Sequence, residues 1–216
     1  MKKDIKKVLR ASVPNALENV IAEEIEFVDE LNLTCAHIKG GYIEEKNAKQ
    51  VYFKECLFEN ITFSDINLDG LEIINCVFKS CDFSGVRSVE SIVHKSEFID
   101  CKMSGSVFSE SMFYNVTFTN VIGNYFTARF SEFKNCFFDG CNLVSSDLQD
   151  SKFNKVYIEG CDLTSAIFLG VKLEGVDLTS NEIEGIAVRI EDVKGAKITT
   201  MQVLEFAKLL NVIIEE

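Results

Sequence analysis

The amino-acid sequence predicts an all-β solenoid, a chain wound around one filled axis, and three columns of residues predict it. From Leu33 to Ile198 every fifth residue is Phe, Leu, Ile, Val or Met, apart from Ala48, Ser88, Gly123 and Ala128. Thirteen of the 18 phenylalanines stand in this column. Two residues before each large one lies a column of small or β-branched residues, among them Cys56, Ile61, Cys81, Ser106 and Ala166. Two residues after it lies a column holding ten of the 12 glycines. A period of five is neither the 3.6 of a helix nor the 2.0 of a strand, so it marks a repeat. Two inward residues in every five suit a coil that turns a corner with each unit. Glycine then falls at the corner, where a side chain and its restricted φ would cost most. No single unit buries a core; stacked neighbours bury one jointly.

Segments such as Cys81-Asp82-Phe83-Ser84-Gly85 and Cys161-Asp162-Leu163-Thr164-Ser165 show the unit plainly. The pattern resembles the pentapeptide repeat family, written A(D/N)LXX. The resemblance implies a right-handed quadrilateral β-helix over residues 31–198, with four pentapeptides making one square turn of 20 residues. It leaves an N-terminal capping segment at 1–30 and a C-terminal helix and strand at 199–216.

Each end needs a cover, because an open coil presents a row of unpaired strand groups. Leu17, Val20, Ile21 and Ile25 have helical spacing, and Pro14 stands near the start, so a capping helix is expected; a membrane-surface or partner helix is the alternative. At the other end the period breaks at Thr199. Thr199 or Thr200 is placed to cap a helix running over roughly 201–210. Its polar side chains, Gln202, Glu205 and Lys208, form one narrow stripe. An apolar strand at 211–214 follows. This apolar surface is wider than a cap requires and points to a second subunit. The tail resembles the one through which the Qnr and MfpA-type branch of the family dimerises. The implied homodimer interface is Leu204, Phe206, Ala207, Leu209, Leu210, Val212 and Ile213. Where Gly123 and Ala128 replace large residues, Tyr125, Phe126 and Phe130 are expected to supply the missing volume. The unbroken register leaves no room for loops between coils, as in the loop-free members.

Composition narrows the function. The net charge of −12 and pI near 4.7 argue against direct nucleic-acid binding through phosphates. No apolar run approaches the ~20 residues of a membrane span, and no signal-type segment follows the N-terminus, so a cytoplasmic protein is expected. Seven of the eight cysteines occupy the small inward column, where they read as apolar fillers; disulfides or a metal between pairs one coil apart are the lesser alternative. His37 and His94 fall on different sides of the coil. With no catalytic or metal motif and a filled rod, neither an enzyme, a metal site nor a cofactor is expected.

Charge is informative once pentapeptides are sorted by the 20-residue turn. One face carries Glu44, Glu45, Asp65, Asp82, Asp162, Glu182 and Glu184 against Lys102 alone. The preceding face carries Glu97, Asp139 and Glu159 with further carboxylates against three lysines, while the other two faces are near neutral. A slim rod with acidic stripes shares the shape and sign of duplex DNA and would attract a basic DNA-holding saddle. By resemblance to the Qnr and MfpA-type branch, the sequence points to a DNA mimic that binds DNA gyrase or topoisomerase IV and protects it from fluoroquinolones. The ten carboxylates named are the expected contact surface. The alternative is a scaffold for an unrelated protein partner, with Tyr125 to Phe130 and Arg129 as its interface.

Overall fold

The computed structural model describes residues 8–210. It is a right-handed quadrilateral β-helix. Strands pair in parallel, and each residue lies beside the one twenty positions on, from Asn32 against Tyr52 to Asp177 against Lys197. The longest strands, Ile92–Ile99, Met112–Thr119, Glu132–Asp139 and Lys152–Glu159, stack in this register across two sides of the square.

The corners fall at the glycine column, and their conformation is more demanding than the glycines alone suggest. Every fifth residue from Glu30 to Gly175 has a positive φ, whether or not it is glycine. Asn, Asp, Ser, Glu and Lys hold most of the remaining corners. An L-residue in the left-handed region costs roughly 1–2 kcal/mol, least for Asn and Asp. Stacking offsets this: the corner N–H reaches the next coil, as in Asn60 to the Lys79 carbonyl at 2.9 Å and Asn120 to the Asp139 carbonyl at 2.8 Å.

Register also organises the core. Phe58, Phe78, Phe98, Phe118 and Phe138 form one ladder with successive ring centroids 4.7, 5.0, 5.2 and 4.7 Å apart and rings within 13° of parallel. The spacing is that of neighbouring strands. The small inward column does more than fill space. The Ser131 hydroxyl accepts the Ser111 N–H at 3.1 Å and donates to the Phe108 carbonyl at 3.0 Å. Ser151 repeats the pattern one coil on, and Cys136 donates to the Phe113 carbonyl. These side chains satisfy buried backbone groups that the bend at each corner leaves over. All eight cysteines are free thiols, seven of them buried. Burial pushes Cys136 up to about 12 and raises Cys76 above the ordinary thiol range.

Ser88, the polar exception in the large column, donates to the Leu68 carbonyl and meets Ser91, both at 2.8 Å. At Gly123 and Ala128 the expectation is corrected in part. Phe126 turns inward and fills the space, leaving a cavity of only about 10 Å³ beside Gly123. Tyr125 and Phe130 stand at corners instead, with φ of 60° and 57°, and are 65% and 60% exposed.

The N-terminal cap is not the expected helix. Glu18–Val20 is a strand paired with Ala36–Ile38, and Ala22–Glu24 is a 3-10 turn. Ala22, Ile25 and Phe27 are buried against the first coil. Edge pairing satisfies strand groups that a helix laid across them would leave open. Leu17 is half-buried and Ile21 is exposed, so the helical spacing of the apolar residues is not used as one face. At the other end Val203–Ala207 is helical and Lys208–Leu210 continues as a 3-10 turn. Thr199 and Gln202 exchange hydrogen bonds in a capping box. The Gln202 amide also donates to the Leu178 and Asn181 carbonyls at 2.8 Å each, tying the helix to the last coil.

Candidate functional site

The coil places its outward residues in columns one strand spacing apart, so the sign of neighbouring residues is set twenty positions at a time. Glu44 lies beside Ser64, whose hydroxyl donates to it at 3.2 Å, and Glu45 and Asp65 are exposed at the adjoining corner. Asp82 lies beside Lys102, 3.7 Å away, and accepts the Ser84 N–H. Asp139 lies beside Glu159, and Asp162 beside Glu182. These two pairs flank the corner at Gly140 and Gly160, and Glu184 follows on the same side. Among the described residues none of Glu45, Asp65, Asp139, Glu159, Asp162, Glu182 and Glu184 has an ion-pair partner.

The expected acidic stripe is therefore divided. One group lies toward the N-terminal end, at Glu44, Glu45 and Asp65, and a denser one toward the C-terminal end, around Asp162 and Glu182. Between them the same face carries Lys102, Ile122 and Tyr125. Glu97 leaves the set. Arg10 reaches its carboxylate at 2.8 Å and the Ala11 N–H reaches it at 3.1 Å. The N-terminal segment thus lies along this side of the coil, with Val8 buried. Residues 8–11 are outside the repeat, so the face-by-face charge count could not include Arg10.

At the C-terminal end, Phe206 and Leu209 pack against the core, whereas Leu204 is 47% exposed beside exposed Met201 and Val203. Ala207 is half-buried. Val212, Ile213 and the side chain of Leu210 lie outside the described residues. His37 is bonded to Glu59 at 2.9 Å, and His94 is held below the ordinary histidine range by burial and then by Lys95. Among the described residues no group of three His, Cys, Asp or Glu side chains is placed to hold a metal ion. No described helix is long and apolar enough to cross a membrane. The chemistry on offer is that of a charged, convex surface able to receive cationic groups.

A filled four-sided coil with its chemistry on the outside defines a repeat protein whose surface is its site. Residues 141–179 match the family model described as pentapeptide repeats, in eight copies. The fold is similar to that of QnrB1, a plasmid-mediated fluoroquinolone resistance protein, in two trypsin-treated variant forms. One variant aligns at a TM-score of 0.60 and 14% identity, covering 92% of this chain and 99% of that one. The other aligns at 0.50 and 16%, covering 88% and 99%. No curated protein sequence matches the chain. Pentapeptide repeats are thus shown for residues 141–179, and the same twenty-residue register continues through the coils on the N-terminal side of them.

Proposed function

We propose that the protein binds DNA gyrase or topoisomerase IV through its acidic surface, in place of DNA, and protects the enzyme from fluoroquinolones. The observation that carries this reading is the group Asp139, Glu159, Asp162, Glu182 and Glu184. Five carboxylates without ion-pair partners among the described residues line one edge of the rod. Like charges one strand spacing apart oppose one another, so a cationic groove relieves repulsion as well as adding attraction. The likeness in fold to QnrB1 supports the same reading. Two copies joined through the exposed side of the C-terminal helix, with Leu204 at the contact, would lengthen the rod. A cytoplasmic location follows from the proposed partner.

The test is supercoiling by purified gyrase with rising amounts of the protein, with and without ciprofloxacin. Restored supercoiling under drug is the expected result. Combined reversal at Asp162→Lys, Glu182→Lys and Glu184→Lys should abolish the effect while leaving the melting temperature near that of the wild type. Protection that survives the reversal would remove the acidic edge from the mechanism. A second reading, a scaffold for another protein, is favoured by the exposed aromatic residues of the middle coils.

A further inference from the structure

Between Ile43 and Arg189 the exposed large apolar side chains are Met112, Ile122, Tyr125 and Phe130, all within about one turn of the coil. Elsewhere along the body the large apolar residues at outward positions, such as Leu57, Val77, Ile167 and Leu169, are half-buried. Tyr125 and Phe130 bound the side formed by residues 126–130, and Ile122 and Met112 stand on the two adjoining sides just beyond these corners; exposed apolar residues grouped around one side mark a contact surface. Tyr125 and Phe130 stand at successive corners, at most ~17 Å of extended chain apart.

Their backbone makes the case stronger. Both hold left-handed corners, at φ 60° and 57°. Neighbouring corners of the same two columns carry Gly105 and Ser145 beside Tyr125, and Glu110 and Asp150 beside Phe130. A bulky aromatic residue is among the least suited to that conformation, whereas Asn or Gly adopts it readily. The rings do not recover the cost by burial, being 65% and 60% exposed. The fold gains nothing visible from them, and residues that strain a structure without filling it point to use at the surface.

We propose that Tyr125 and Phe130, with the side of the coil between them, form a docking surface for a protein partner that presents an apolar group ringed by lysine or arginine. The charges around the patch select that partner. Glu90, Glu110 and Asp150 share the corner column of Phe130, and Glu132 follows two residues later. Among the described residues Glu90, Glu110 and Glu132 have no ion-pair partner. The cation inside the window is already engaged, since Arg129 Nε donates to Asp147 at 2.7 Å. A second copy of this chain, at net charge −12, would set the same carboxylates against one another. The inference stands apart from the topoisomerase reading, because it rests on the aromatic corners and their rim alone.

The test combines Tyr125→Asn and Phe130→Asn in the full chain. First, thermal unfolding is compared with the wild type. The double variant should melt at the same or a higher temperature, since Asn relieves both corners; a lower melting temperature would assign the rings a structural role and overturn the proposal. Second, a random-peptide phage library is selected on the wild-type protein, and enriched peptides are synthesised and titrated by fluorescence anisotropy against both proteins. Peptides with an apolar residue flanked by Lys or Arg should be enriched and should bind the double variant at least about tenfold more weakly. No enrichment, enrichment without that pattern, or equal binding to both proteins would each overturn it. Sedimentation velocity covers the remaining occupant: self-association that the double substitution abolishes would make the patch a contact between copies and overturn the assignment.

Discussion

Phe98 shows how much one residue carries in a stacked core. It sits between Phe78 and Phe118, 5.0 and 5.2 Å from them, and is fully buried. The ladder continues on both sides, so neither neighbour can collapse into a space left by truncation. Phe98→Ala should cost about 3–5 kcal/mol in urea unfolding. Asp192 offers a contrasting case, a buried carboxylate bonded to Lys172 Nζ at 2.7 Å and to the Gly170 N–H at 2.8 Å. Burial acts to raise it, but the Lys172 ammonium and the Gly170 N–H outweigh burial and hold the carboxyl below its ordinary value. A depressed folded value means that the stabilisation is present above the unfolded value, ~3.9, and is lost as pH falls through the folded one. Asp192→Asn should therefore lower the melting temperature at pH 7, and the gap from the wild type should narrow below about pH 4. A gap that stays constant as the pH is lowered through this range would mean that the charge plays no part.

At the scale of elements, the two ends are closed by different means. The N-terminal end adds a strand, so the sheet edge is extended and then covered by Ala22, Ile25 and Phe27. The C-terminal end uses a helix too short to stand by itself, and its five residues depend on tertiary anchoring. Gln202 supplies it, joining the capping box to two carbonyls of the last coil, while Glu205 accepts the Gly185 N–H at 3.1 Å. Gln202→Ala should cost about 1–2 kcal/mol locally. Hydrogen exchange checks this directly: the Gly185 amide should exchange faster while amides near Phe98 remain protected. Equal protection at Gly185 would show that the helix holds without its anchor. The cap at Thr199 or Thr200 was legible in the sequence, but the part played by Gln202 and the two carbonyls it reaches, 24 and 21 residues earlier, were not.

At the scale of the whole molecule, the architecture follows from the repeat and from the family that the repeat resembles. A column of large residues at one unvarying period demands stacked units that bury them jointly, and the twenty-residue register observed from Asn32 to Lys197 is the one that the resemblance to pentapeptide repeats implies. The sequence by itself determined which side chains fill the axis and where the corners lie, because both follow from position modulo five. What only the tertiary structure decided are the matters that the period leaves free. The N-terminal apolar residues suit a helix or a strand by spacing, and the open sheet edge chose the strand. Glu97 counts as one more carboxylate in its face until Arg10, 87 residues away, is found against it. The physical reason is common to these cases. Repetition fixes the contacts made twenty residues apart, whereas segments and side chains outside the repeat are placed by whichever distant surface satisfies their hydrogen bonds and charge.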